Sequence, residues 1–112
     1  MHTLILDTSD NKRVKVGLKI DSRKYILTED VKLNRTQVIL PLIDRVLKKH
    51  SLSIKDLSGI KVNRGPGSFT GLRVGLAIAN LISFALKIPI NGSDEIVLPI
   101  YASKTQLKNK ML

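Results

Sequence analysis

The hydrophobic period of this 112-residue chain changes from two to 3.6 near residue 35, and that switch limits the folds open to it. Before the switch, "RVKVGLKI" alternates, with Val14, Val16, Leu18 and Ile20 on one face and Lys15, Gly17 and Lys19 on the other. "TLILDTS" ahead of it reads as a buried strand, and "KYILTEDVKL" after it as a third strand. Asp10-Asn11 and Asp21-Ser22 supply turn residues between them. Three strands with connections this short predict an antiparallel meander.

After the switch, "RTQVILPLIDRVLKKH" places Ile39, Leu42, Ile43, Val46 and Leu47 on one helical stripe. Pro41 fits that helix only in its first turns, where a missing N–H matters least. Lys48, Lys49 and His50 suit its negative pole. "GIKVN" follows as a short strand, then the loop "NRGPGSFTGLRVG", then a helix from about Thr70 to Leu86 that Pro89 prevents from continuing. "IPINGS" reads as a fifth strand. The predicted order is βββαβαβ: an α/β domain with a mixed sheet and two main helices.

The second helix is apolar most of the way round, with a narrow polar stripe through Arg73, Asn80, Ser83 and Lys87. One sheet and one neighbouring helix cover about half of such a surface, so the remainder implies a partner. Gly71, Gly75 and Ala79 recur every four residues, which would admit a close approach by another helix. The alternative is a single core that encloses the whole helix.

The glycine loop lies between a strand and a helix N-terminus, a generic place for an anion because free amides point outward at the positive pole. It is not a Walker loop, since Leu72 follows Gly71 where a lysine is required, and its glycine spacing does not fit a dinucleotide fingerprint. The residues alone leave two readings open: a phosphate contact through Gly65, Gly67, Ser68, Thr70 and Arg73, or a structural turn capped by Thr70 or Ser68. Asp7, with Thr8 and Ser9 after it, is the one buried-looking carboxylate. It would orient a phosphate, orient a metal-bound water, or cap a turn. His2 and His50 have no carboxylate at metal-ligand spacing, so no metal site is expected. The chain has no cysteine, which removes disulfides and thiolate chemistry and fits a reducing cytoplasm. No signal peptide and no uninterrupted apolar run of membrane-spanning length is read.

The net charge of +10 has two readings: a footprint for a nucleic-acid backbone, or a lysine-rich composition without a partner. Lys12, Arg13, Lys15, Lys19, Arg23 and Lys24 gather on the candidate hairpin, and Lys104, Lys108 and Lys110 on the tail. With two phenylalanines and two tyrosines, a base-stacking platform is not expected.

"LILDTS", "LPLIDRVL" and above all "NRGPGSFTGLRVGLAIANLISFALKIPI" closely resemble the bacterial TsaB (YeaZ-type) family, over residues 3 to 93. The resemblance implies the N-terminal lobe of an actin-like, Hsp70-like ATPase (ribonuclease H-like) fold. It also implies a non-catalytic partner of the paralogue TsaD, which binds the metal and transfers the threonylcarbamoyl group to adenosine 37 of transfer RNA. TsaE, an ATPase, joins that assembly. In such proteins the two helices of the lobe pack against those of TsaD, or of a second TsaB, as a bundle. Carried onto this chain, the contact falls on Leu40, Leu42, Ile43, Val46 and Leu47 of the first helix. On the second it falls on Leu72, Gly75, Leu76, Ala79, Ile82 and Ser83.

Two departures qualify the match. Relatives carry a second lobe after the equivalent of Gly92-Ser93, whereas here "DEIVLPIYASKTQLKNKML" follows. The expected organisation is thus a lobe over 1–93 and a short basic tail over 94–112. Asp7, Thr8 and Ser9 then lack an opposing half, so no cofactor of its own is expected and ATP or ADP would be held only at a partner interface. Arg35 stands where many relatives have a histidine, which further disfavours a metal. The leading expectation is a cytoplasmic, membrane-independent scaffold that meets a TsaD-like paralogue and a TsaE-like ATPase. It touches transfer RNA indirectly and homodimerises when alone. The alternatives are a basic transfer-RNA-binding module of the same complex and a nucleotide-binding ATPase lobe. Ala79→Glu is expected to abolish association.

Overall fold

Alternation carries straight into the sheet. The computed structural model describes residues 1–31 and 34–100. β1 (His2–Asp7), β2 (Arg13–Ile20) and β3 (Arg23–Asp30) form the expected meander, with Leu4 opposite Leu18, Leu6 opposite Val16, and Val16 opposite Leu27. Asp21, at φ 55°, makes the tight β2–β3 turn. β4 (Gly59–Val62) then runs parallel to β1, pairing Leu4 with Ile60 and Leu6 with Val62. The strand order is therefore β3-β2-β1-β4. Because side chains alternate across a strand, this register collects Leu4, Leu6, Val14, Val16, Leu18, Ile60 and Val62 on one face, and all are buried.

Two helices cover that face: α1 (Arg35–Lys49) and α2 (Phe69–Leu86). α1 begins at Asn34, whose side-chain oxygen accepts the Thr36 amide at 2.8 Å, and carries Lys48 and Lys49 in its last turn as its dipole favours. Pro41 lies inside α1 in its second turn, deeper than its missing N–H would suggest. It is exposed, so its ring faces away from the core. α2 starts one residue earlier than read from the sequence. Ser68, not Thr70, is its cap, accepting the Gly71 amide at 3.3 Å. It ends where Lys87 turns left-handed at φ 56°. By length and composition α2 would suffice to cross a membrane, but its inner side packs on the sheet.

The fifth strand does not form. Ile90 makes a single parallel bridge to Ile60, and the chain then leaves the extended region at Asn91 (φ 51°) and Gly92 (φ 77°). Asn91 replaces the missing strand with its side chain: its amide accepts the Val62 N–H at 2.8 Å and donates to the Val62 carbonyl at 3.0 Å. A second asparagine repeats the device. Asn80 on α2 accepts from Val97 N and donates to Val97 O, both at 2.9 Å. Residues 94–100 are thereby fastened to α2, Val97 enters the core, and Arg64 reaches the Leu98 carbonyl at 2.8 Å. The rest of the expected tail, with Lys104, Lys108 and Lys110, lies outside the described residues, as do Lys32 and Leu33 of the expected third strand.

Candidate functional site

The end of β1, the glycine loop and the starts of both helices meet at one place. Asp7 and Ser9 form a closed turn: Asp7 Oδ1 accepts the Ser9 amide at 3.0 Å and the Ser9 hydroxyl at 2.6 Å. Burial alone would raise the Asp7 carboxyl. The Ser9 hydroxyl and amide, the Asn63 side chain and the Lys15 charge outweigh it and hold Asp7 below the usual carboxylate range. Asn63 then links this turn to the loop, donating to Ser9 Oγ at 3.2 Å and accepting the Gly65 amide at 2.9 Å. Ser68 N–H donates to the Ser9 carbonyl at 2.6 Å. Arg35, at the start of α1, completes the junction by donating to the Asp10 carbonyl at 3.2 Å and to Ser68 Oγ at 3.4 Å.

The glycines are explained by what crosses them. A Cβ at Gly67 would stand 2.6 Å from the Ser9 carbonyl oxygen. One at Gly71 would run into the Thr8 carbonyl oxygen, and one at Gly75 into Thr8 Oγ1. The small-residue stripe of α2 is therefore filled by the chain's own Thr8, not by another helix. Gly65 has a different reason, a φ of 101° that side chains rarely adopt.

This packing places the phosphate candidates unevenly. Thr8 is wholly buried and its Oγ1 has no hydrogen-bond partner among the described residues, while Asp7 and Ser9 are engaged with each other. Gly65, Gly67 and Ser68 lie in the junction, and Ser68 Oγ is occupied as a cap. Thr70 and Arg73 are exposed, with the Arg73 guanidinium 5.0 Å from the Phe69 ring centre. The surroundings favour an anion, since two helix N-termini and Arg35 converge without an acidic residue in either first turn. Among the described residues, no three His, Asp or Glu side chains gather. His2 and His50 are taken up by the Asp56 and Val46 carbonyls.

Most of the expected partner stripe is used inside the chain: Leu42, Val46, Leu72, Gly75, Leu76, Ala79 and Ser83 face its interior, Leu40 is half exposed, and Ile43, Leu47 and Ile82, though buried, line a groove between the helices. The small residues that suggested a helix–helix approach mark the inner side, so the outward side is the opposite one. It carries Leu81 at 67% exposure and Phe84 at 84%. The groove between the helices, lined by Leu40, Ile43, Leu47, Leu52, Ile54 and Ile82, is a second apolar feature, and Phe84 borders a different hollow with Asn80, Ile88 and Ile96. Asn63 and Phe84 carried no role in the sequence reading, and Arg35 and Asn80 were noted there without the junction and clamp roles they have here. Polar residues flanking apolar runs, Asn63 and Asn80 above all, were the available signal.

A four-stranded mixed sheet with two helices on one face, and a strand-to-glycine-loop junction at its edge, defines an α/β lobe of the actin-like ATPase class. The family model for TsaD, tRNA N6-adenosine threonylcarbamoyltransferase, matches residues 26–110. A Buchnera aphidicola (from Schizaphis graminum) protein named tRNA threonylcarbamoyladenosine biosynthesis protein TsaB is 42% identical over 86 residues, covering 77% of this chain and 40% of that protein. The Escherichia coli K12 protein of the same name is 33% identical over 92 residues, 82% of this chain and 39% of its own length. The solved structure of YeaZ from Pseudomonas aeruginosa superposes with a TM-score of 0.74 at 25% identity, over 98% of this chain and 52% of that one. The chain belongs to the TsaB/YeaZ branch of the TsaD family, and it spans about two-fifths of the length of the curated relatives it matches.

Proposed function

We propose that this chain serves threonylcarbamoyladenosine biosynthesis as a non-catalytic scaffold that docks on a TsaD-like paralogue through the outward side of α1 and α2. The observation that carries the reading is the exposure of Leu81 and Phe84 on a helix whose inner side is already fully used, together with a separate apolar groove between the helices. An apolar surface of this kind is unfavourable in water and suits a helical partner. The relatives' shared name, TsaB, supplies the pathway. A scaffold role fits a junction in which the Asp7 carboxylate is bonded to Ser9 and the Ser68 hydroxyl caps α2. A nucleotide phosphate would reach it only with Arg35 and the α2 N-terminus facing a partner that completes the site, and a TsaE-like ATPase is the component to supply that requirement. Without the paralogue, the same face closes a homodimer, as a self-complementary apolar patch does. The reading places the protein in the cytoplasm, with residues 1–93 as the docking lobe and 94–112 as its extension.

Co-expression with a TsaD-like paralogue, followed by size-exclusion with light scattering, tests it. A 1:1 complex that Leu81→Glu and Phe84→Glu dissolve is the expected result. Two separate species from the unsubstituted pair overturn it.

A further inference from the structure

We propose that the bare outer face of the sheet docks the phosphate backbone of RNA, separately from the helix side. β-register sets out the charges. Lys19 on β2 lies directly opposite Lys24 on β3, Lys15 opposite Thr28, and Lys61 on β4 opposite Ile5. Since facing residues share a face, Lys15, Lys19, Lys24 and Lys61 all project from the side that the helices leave uncovered, and all four are exposed. Among the described residues none of them has an ion-pair partner. Of the two carboxylates on this face, Asp30 is paired with Arg13 at 3.3 Å and Asp7, directly opposite Lys15, offsets that lysine, which leaves Lys19, Lys24 and Lys61 uncompensated.

Like charges set directly opposite on neighbouring strands are destabilising, so Lys19 and Lys24 form an arrangement that the fold itself does not neutralise. A polyanion neutralises it. Lys19, Lys24 and Lys61 border one groove with Thr3, Ser58 and Asn91, so ammonium groups and neutral hydrogen-bonding groups open onto the same channel. Between the lysines run Ile5, Gly17 and Ile26. Ile26 folds its Cδ1 over Gly17 and is 46% exposed, a single apolar side chain among lysines and too little to insert into a membrane. No aromatic ring occupies the face, because Tyr25 turns to the other side, against His50 with ring centres 4.3 Å apart. The contact is therefore with phosphates and not with stacked bases, and it reads no sequence.

Fluorescence anisotropy of a short labelled RNA hairpin, titrated with the full chain over a salt series, tests this. Three phosphate contacts give a log–log salt slope of about −3. The K19E/K24E/K61E variant is expected to bind at least about tenfold more weakly and to lose most of that slope. K49E/K55E, one substitution fewer and away from the groove, keeps it. K19Q/K24Q/K61Q serves the same purpose if circular dichroism shows the glutamate variant unfolded. The proposal is overturned if the groove variant binds like the unsubstituted chain, if both variants lose affinity alike, or if phosphatidylserine vesicles bind and the hairpin does not. L81E/F84E retains hairpin binding, so failure of the helix-side reading and failure of this one are separable.

Discussion

Thr8 sits in the gap that Gly75 leaves in α2: a Cβ on Gly75 would occupy the space of Thr8 Oγ1 and lie 3.0 Å from Thr8 Cβ and Cγ2. The strand end and the helix approach this closely because one of the two residues has no side chain. Gly75→Ala adds helix propensity worth up to about 1 kcal/mol, but the overpacking costs about 1–3 kcal/mol. The substitution is expected to lower the urea midpoint. Thr8→Ala removes a buried hydroxyl that has no hydrogen-bond partner, so the double variant recovers most of the loss. A double-mutant cycle with no coupling would show that the two residues do not share this space.

Asp7 makes stability depend on pH. Its folded pKa lies below the ordinary aspartate value near 3.8, against the opposing effect of burial, because Ser9, Asn63 and Lys15 favour the charged form. Its stabilisation is complete above the ordinary value and is lost as pH falls through the lowered folded value. Asp7→Asn is expected to cost about 1 kcal/mol at neutral pH, with the difference from the unsubstituted chain vanishing in acid. Urea unfolding of both proteins from about pH 7 down to about pH 2 measures it.

Ala79 and Leu81 are two residues apart on α2 and are expected to respond oppositely to the same change. Ala79 is fully buried, so Ala79→Glu places a charge in the core and unfolds the chain, at about 3 kcal/mol or more. This replaces the expectation that it would break association alone. Leu81→Glu leaves circular dichroism and thermal midpoint nearly unchanged and removes association. Equal thermal midpoints for the two variants would place Ala79 at the surface.

Asn80 clamps residues 94–100 with two hydrogen bonds to Val97. Asn80→Ala loses both, at about 1 kcal/mol each. Amide exchange at Val97 is expected to rise by at least about tenfold, with β1 and β2 protected as before. Unchanged exchange at Val97 would assign its anchoring to core burial alone.

The meander and both helices were legible because alternation and the 3.6 period are printed in apolar residues such as Val14, Val16, Ile39 and Val46. The fifth strand was not, because "IPINGS" has strand-like composition and its fate turned on Asn91 adopting φ 51° and hydrogen-bonding with its side chain. The helix phase misled for a related reason. A stripe of small residues announces close approach without saying what approaches, and here Gly71 and Gly75 admit Thr8, a residue from the far end of the first strand. Composition flagged α2 correctly as over-apolar; only the third dimension showed that Leu72, Leu76 and Ala79 belong inside while Leu81 and Phe84 remain out.

The position of β1 sets an order of assembly. Its antiparallel edge meets β2 within a few residues of chain, whereas its parallel edge waits for β4, where Thr3 meets Gly59. Local contacts close fast and distant ones slowly, so the meander is the early structure and the β1–β4 seam the late one. On the ribosome, α1 can cover β2 as soon as it is made, whereas Leu4 and Leu6 of β1 wait for the α2 residues Leu76 and Ala79. The nascent chain thus carries part of its own future core as an exposed apolar strand until α2 has been made, and that interval is when it is most prone to aggregate.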